Sequence, residues 1–290
     1  MKFGLYFIIY INYKFIYMSD KKGYICYNYF VGLCNRLNVL IGDMRIADKY
    51  YNKKFYLHWN RLRYDFFGIF DVPDIEIINV KKIYQEEYII SNESNVKGIT
   101  TCFVTLDIDL EHMNIKDTNN SKLLDGTYNL APKYMIDQYL PYVKKIKPAK
   151  ELQIKIDNFS KVFDENTISV HVRRGDFMTN NKRNKNTNDK YFCVMDKLIA
   201  DNPKVTFFVS SDDEKTQGEF KEKYGDLVYI YKHGHIQTNA LGENQDDEKT
   251  ALVSLMLLSK NNILIATYKS TYSQMAWWLG KCKATVYVIR

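Results

Sequence analysis

Apolar and polar positions along the 290-residue chain switch repeatedly between a two-residue period and a helical one. The stretch that organises the rest runs Ile168-Ser169-Val170-His171-Val172-Arg173-Arg174-Gly175-Asp176-Phe177. Ile168, Val170 and Val172 alternate with Ser169 and His171. That alternation predicts a half-buried strand, which delivers Arg173 and Arg174 and breaks at Gly175. Upstream, Gly23–Phe30 is rich in aromatic and β-branched residues and predicts a first strand. Residues 31–37 turn it into a helix, where Leu37, Leu40, Ile41, Met44 and Ala47 fall at helical spacing, and Phe55–Trp59 follows as a strand. Further strands are expected at Ile75–Ile78 and Ile99–Val104, a polar loop at Asn114–Lys122, and a helix at Tyr134–Lys145. Ile146–Lys150 marks a boundary. Beyond it, Glu151–Phe163 predicts a helix with Leu152, Ile156 and Phe159 on one face. After the arginine pair come a polar, basic loop at 178–190, a helix at Tyr191–Ala200, and strands at Val205–Asp213 and Leu227–Tyr231. A buried helix at Thr250–Ser259, a strand at Ile263–Thr267, a helix at Met275–Leu279 and a strand at Thr285–Ile289 complete the chain. Strands alternate with helices in both halves and no short repeat intervenes. The expected class is α/β, with two Rossmann-like domains facing a cleft, residues 18–147 and 148–290.

Composition changes this picture little. The 46% apolar and 26% charged residues are ordinary for a globular protein, and with 5 prolines and 13 glycines long disordered linkers are not expected. The 24 tyrosines and 16 phenylalanines, with abundant Ile, Asn and Lys, are explained more simply by AT-rich codons than by aromatic function. The net charge of +7, from 41 basic and 34 acidic residues, is spread along the chain. It favours an anionic ligand slightly. A nucleic-acid partner is not expected, because the basic residues are not interleaved with an RNA-binding motif. Cys26, Cys34, Cys102, Cys193 and Cys282 are dispersed, with no CxxC and no zinc spacing, which suggests free thiols in a reducing compartment. Residues 3–17 are strongly apolar but include Asn12 and Lys14, and their 15 residues fall short of a span, which needs about 20. Residues 1–17 are therefore either an extension outside the fold or a weak membrane anchor. The first alternative implies a cytoplasmic protein and the second a secretory-pathway membrane.

The candidate chemistry gathers at the ends of the predicted strands. Two guanidiniums at a strand C-terminus lie where open α/β sheets bind ligands, and their planar donor forks match phosphate oxygens; the alternative is a pair of surface salt bridges. The first helix N-terminus favours an anion, but the turn before it lacks GxGxxG, so a nicotinamide or flavin site is not indicated. Asn35 there is either functional or a helix cap. Val205–Asp213 ends in Ser210, Ser211, Asp212 and Asp213. An acid at that end suits the donor edge of a guanine, whereas an N-cap of the next helix is the competing use. Ser270, Thr271 and Ser273 open a helix and offer hydroxyls and N–H groups to a phosphate. His233-Gly234-His235 lacks a third ligand, so no metal is expected; His58 and His112 are expected to be structural or surface histidines. The 178–190 loop is either solvated or a flap over the ligand.

His171-Val172-Arg173-Arg174-Gly175-Asp176-Phe177 resembles the HxRRxD signature of the fucosyltransferase superfamily that includes the α1,2-, α1,6- and protein O-fucosyltransferases. Gly32-Leu33-Cys34-Asn35-Arg36-Leu37, followed by a helix and a strand ending in Leu57-His58-Trp59, resembles the GLGNR/GLCNR motif of the rhizobial-type and related members. The resemblance implies a GT-B arrangement and metal-independent transfer, with no cofactor besides the donor GDP-fucose. It implies that Arg173 binds the β-phosphate and that Gly32, Asn35 and Arg36 face the donor sugar and pyrophosphate. It places Asp212 and His171 at the guanine, and Ser270, Thr271 and Ser273 at the pyrophosphate.

The mechanism so implied is inverting transfer of fucose to a glycan or protein hydroxyl, carried mainly by stabilising the departing GDP. Arg173 neutralises the β-phosphate, while Arg174 either contacts a phosphate or braces the loop. Asp176 is the candidate base, or else a salt-bridge partner of the arginines. A transferase for another nucleotide sugar and an inactive binding module remain the alternatives. Residues 60–150 carry no chemistry of their own, and acceptor recognition is expected there.

Overall fold

The computed structural model describes residues 21–28, 32–59, 65–72, 74–78, 87–90, 133–174, 187–231, 245–268 and 270–289. Residues 1–17, the expected strand at Ile99–Val104, the loop at Asn114–Lys122, Asp176, most of the 178–190 loop and the His233–His235 pair lie outside them.

The structure is α/β, with two parallel sheets. The first comprises β1 (Gly23–Asn28), β2 (Phe55–Trp59), β4 (Glu76–Ile77) and β5 (Tyr88–Ile90), in the spatial order β4-β2-β1-β5. Helix α1 (Leu33–Ile46) connects β1 to β2 and runs into a π-helical turn at Ala47–Tyr51. The helix starts one turn earlier than its spacing predicts. Leu33 extends the stripe of Leu37, Leu40, Ile41 and Met44 by four residues, and Gly32 is the N-cap. Asn35 is therefore inside the first turn and is not the cap.

The second sheet comprises β7 (Thr167–Val172), β8 (Thr206–Ser211), β9 (Val228–Tyr229), β10 (Ile263–Thr267) and β11 (Thr285–Ile289), in the order β11-β10-β7-β8-β9. The chain builds outward from β7 in one direction and then returns to build outward on its other side. A topological switch point therefore falls between β7 and β10, and in such sheets ligands bind outside the strand C-termini at that point. The connecting helices are α4 (Asn188–Asp201), α5 (Glu214–Tyr224), α6 (Gln245–Leu258) and α7 (Thr271–Leu279).

β7 is buried along its whole length, where the alternation predicts a half-buried strand. Helices cover both faces of this parallel sheet, so neither set of side chains meets water. Its polar side chains are accommodated by hydrogen bonds from distant segments. The Ser169 hydroxyl donates to the Leu258 carbonyl at 2.8 Å and lies 3.0 Å from Asn261 Nδ2.

Between the sheets lie α2 (Lys133–Val143), β6 (Lys147–Pro148) and α3 (Lys150–Phe159). The short β6 pairs antiparallel with β3 (Phe70–Asp71), and the Ala149 N–H donates to the Ile69 carbonyl at 2.8 Å. One apolar cluster runs from Cys26 and Leu57 of the first sheet to Leu264 and Val286 of the second. Tyr139 of α2 and Trp278 of α7 meet within it edge to face, with ring centroids 6.2 Å apart. Among the described residues no helix is long and apolar enough to cross a membrane.

Candidate functional site

The switch point places the end of β7 beside the end of β10, and the residues there form a connected network. Thr267, the last residue of β10, is its centre. Its hydroxyl donates to the His171 carbonyl at 2.9 Å, accepts from the Arg173 N–H at 2.9 Å, and lies 2.8 Å from the Tyr191 hydroxyl. Because its single proton goes to His171, the Tyr191 hydroxyl is the donor to it. The side chain of His171 faces α7, with Nδ1 2.7 Å from the Ser273 hydroxyl. Its ring stacks on Tyr272 at 4.8 Å between centroids and 28° between planes.

The two arginines have different surroundings. Arg173 Nη1 meets Asp212 Oδ2 at 2.7 Å, and its side chain is 34% exposed. Arg174 is buried. One of its terminal nitrogens donates to Asn188 Oδ1, the other to the Arg173 carbonyl at 3.2 Å, and the Asn188 amide donates onward to Glu219. The Arg174 guanidinium ties Asn188 to the end of β7.

Asp212 and Asp213 divide two roles that the sequence could not separate. Asp213 caps α5, accepting from the Thr216 N–H at 2.8 Å and the Thr216 hydroxyl at 2.6 Å. Asp212 accepts from the Arg174 N–H at 2.7 Å as well as from Arg173, so its carboxylate is engaged in holding the arginine pair.

The serines of the predicted turn are also engaged internally. α7 begins at Thr271, not at Met275, so the turn forms the first coil of the helix. Ser270 is its N-cap, accepting from the Ser273 N–H at 3.5 Å. The Ser273 hydroxyl is buried between His171 and the Thr267 N–H, the latter 3.2 Å away. Thr271 is only partly buried, and its N–H stands among the first-turn groups that lack a helical acceptor.

The first turn of α1 approaches from the other sheet. Gly32 brings no side-chain cap, and the turn carries no acidic residue, which leaves it suited to an anion. Among the described residues Asn35 Oδ1 has no hydrogen-bond partner. Arg36 packs against the first sheet. It is 1% exposed, and its guanidinium lies 3.5 Å over the Trp59 ring, inside the first half of the molecule.

The sequence matches no protein-family model and no curated protein. Its structure does match solved ones. The NodZ α-1,6-fucosyltransferase crystal soaked with GDP-fucose is 14% identical with a TM-score of 0.52, the match covering 89% of this chain and 92% of that one. NodZ from Bradyrhizobium gives a TM-score of 0.53 at 14% identity, over 88% of this chain and 92% of that one. POFUT1 in complex with GDP gives 0.52 at 9% identity, over 92% of this chain and 99% of that one. The chain has the fucosyltransferase fold.

Within this fucosyltransferase fold the electrostatics follow from burial. The His171 imidazole is pushed down to about 3, first by burial and then by the Arg173 and Arg174 charges. It is neutral at physiological pH. Burial pushes the Tyr191 phenol up to about 12. Burial likewise raises the Cys34 thiol of α1, helped by the Glu248 carboxylate and opposed by Arg173. Among the described residues no three His, Cys, Asp or Glu side chains converge as a metal would require.

The His171 shift carries a stability prediction. Below its unfolded value of about 6.5 the unfolded chain takes up a proton that the folded chain refuses. Stability conferred by neutral His171 is thus present above pH 6.5 and is lost as the pH falls towards 3. The loss runs at about 1.4 kcal/mol per pH unit. Unfolding free energies of wild type and His171→Asn, measured by urea denaturation from pH 7 to 4.5, should converge at about that rate. A gap independent of pH would show that His171 does not titrate in this way.

Sequence inspection missed Thr267, Tyr191, Asn188 and Glu219. Thr267 carried the only available signal, a hydroxyl closing an otherwise apolar strand, Ile263–Thr267.

Proposed function

We propose that the protein is an inverting fucosyltransferase of GT-B organisation that takes GDP-fucose as donor and a glycan or protein hydroxyl as acceptor. The observation that carries this reading is the partly exposed Arg173 side chain at the β7/β10 switch point. The N-terminal turns of α1 and α7 supply further N–H groups to a diphosphate there. The fold supports it, because its solved members include crystals soaked with GDP-fucose or complexed with GDP. In this reading residues 18–147 form the acceptor-side Rossmann-like domain and 148–290 the donor-side one. Arg173 meets the β-phosphate, and neutral His171 lies towards the guanine. Gly32 and Asn35 line the donor sugar side, and Thr271 the pyrophosphate. No metal takes part. Asp176, two residues past Arg174, is the carboxylate that the sequence motif offers as base.

Thermal unfolding of the full chain with GDP, GDP-fucose, GDP-mannose and UDP-glucose tests the reading. A ligand at 100 times its dissociation constant stabilises by about 2.7 kcal/mol. GDP and GDP-fucose should raise the midpoint by several degrees, with release of GDP from GDP-fucose over time. A shift with UDP-glucose alone would assign another nucleotide sugar. Stabilisation by GDP without donor turnover would make the protein a binding module.

A further inference from the structure

Transfer to a hydroxyl requires a group to take its proton. Asp212 is committed to Arg173 and to the Arg174 N–H, so a different carboxylate has to stand where donor and acceptor meet. Resting on the fucosyltransferase reading, we infer that Glu248 of α6, in place of the motif's Asp176, takes the proton of the acceptor hydroxyl.

Three observations converge on it. The Tyr272 hydroxyl donates to the Ala251 carbonyl at 2.6 Å, so the first turn of α7 is fastened to α6 one turn past Glu248. Residues three apart share a helix face, and helical side chains lean towards the N-terminus. Glu248 therefore lies on the Tyr272 side of α6 and leans beyond that contact; it is partly exposed. Tyr272 in turn stacks on His171, two residues before Arg173, which brings this part of α6 to the end of β7. Finally, the buried Cys34 thiol of α1 and the buried Tyr272 hydroxyl each lie in the fields of both the Glu248 carboxylate and the Arg173 guanidinium. Glu248 thus lies near both the start of α1 and the arginine at the end of β7.

The step balances without a further reactant. The acceptor oxygen forms a bond to the anomeric carbon of the donor sugar. The bond from that carbon to the β-phosphate oxygen breaks, and its electron pair leaves with the diphosphate. The hydroxyl proton passes to Glu248, and Arg173 meets the charge left on GDP.

The test uses the full chain, with water as acceptor and GDP-fucose as donor. Glu248→Gln should lower kcat for GDP release about 100-fold or more, while KM for the donor and the thermal shift with GDP stay near wild type. Glu248→Ala should regain turnover on addition of sodium formate, which a purely structural role would not produce. Near-normal turnover by Glu248→Gln, or formate-insensitive loss in Glu248→Ala, overturns the inference while leaving the donor site intact. A wild type that is neither stabilised by GDP nor able to release it from GDP-fucose overturns the site reading, and this inference with it.

Discussion

Arg173→Ala is expected to cut the GDP-induced rise in the thermal midpoint to about half or less while the resting protein stays folded, and Arg174→Ala is expected to do the opposite. The two side chains are adjacent in sequence but differ in what they hold. The Arg173 side chain is partly exposed and meets the Asp212 carboxylate at 2.7 Å. A charge-assisted contact to phosphate contributes about 1.5–3 kcal/mol, so its loss weakens GDP binding by one to two orders of magnitude. Arg174 is buried and bonded to Asn188 and to the Arg173 carbonyl, with its guanidinium 5.7 Å from the centre of the Tyr191 ring. Removing it strands Asn188 and Glu219 at the start of α4 and on α5, at a cost of about 2–4 kcal/mol. Lysine should not restore it, because one ammonium cannot reproduce the planar fork. Urea denaturation and GDP thermal shifts on both variants separate the roles. Equal loss of the GDP response would show that Arg174 also reaches the phosphate.

Thr267→Val should destabilise the protein by about 2–4 kcal/mol although the side chains have nearly the same shape. Valine fills the space but leaves the His171 carbonyl, the Arg173 N–H and the Tyr191 hydroxyl without the shared oxygen. All three lie where water does not readily replace it, since His171, Thr267 and Tyr191 are each at most 3% exposed. Thr267→Ser, which keeps the hydroxyl, should recover most of the stability and of the GDP affinity. If valine cost no more than serine in a denaturant melt, the hydroxyl would not be the link between the two strand ends.

The second sheet was the more legible in sequence, for a physical reason. Strands buried on both faces, such as Phe207–Ser211 and Ile263–Thr267, are short apolar runs bounded by polar turns, and they stand out without any knowledge of neighbours. The alternation in Thr167–Val172 misled about burial because the partners of Ser169 and His171 are nearly 90 or more residues away in the chain. Helix starts were less legible. Cys34, Asn35 and Arg36 hide the first turn of α1, and the Ser and Thr of α7 resemble a loop until the Ser270 cap is seen. The arginine pair was conspicuous at the candidate site, but the partition between them was not. It depends on Asp212 and Asn188, which arrive from separate elements. Arg36 was likewise conspicuous as a motif residue, but its stacking on Trp59 was not.

The pairing of Lys147–Pro148 with Phe70–Asp71 bears on how such molecules can be recombined. A chimera that exchanges the first sheet for a relative's must carry residues 147–149 with it, because both that ladder and the Ala149 bond to Ile69 belong to the first half. The workable seam falls at the first residue of α3, Lys150, where one amphipathic helix begins and no strand is parted from its partner. A cut made at the proline leaves one unpaired edge on each fragment, the kind of edge that recruits other chains. The first half is then exchangeable between relatives as a block ending at Ala149, with Leu152 and Ile156 as the apolar contacts to be matched across the join.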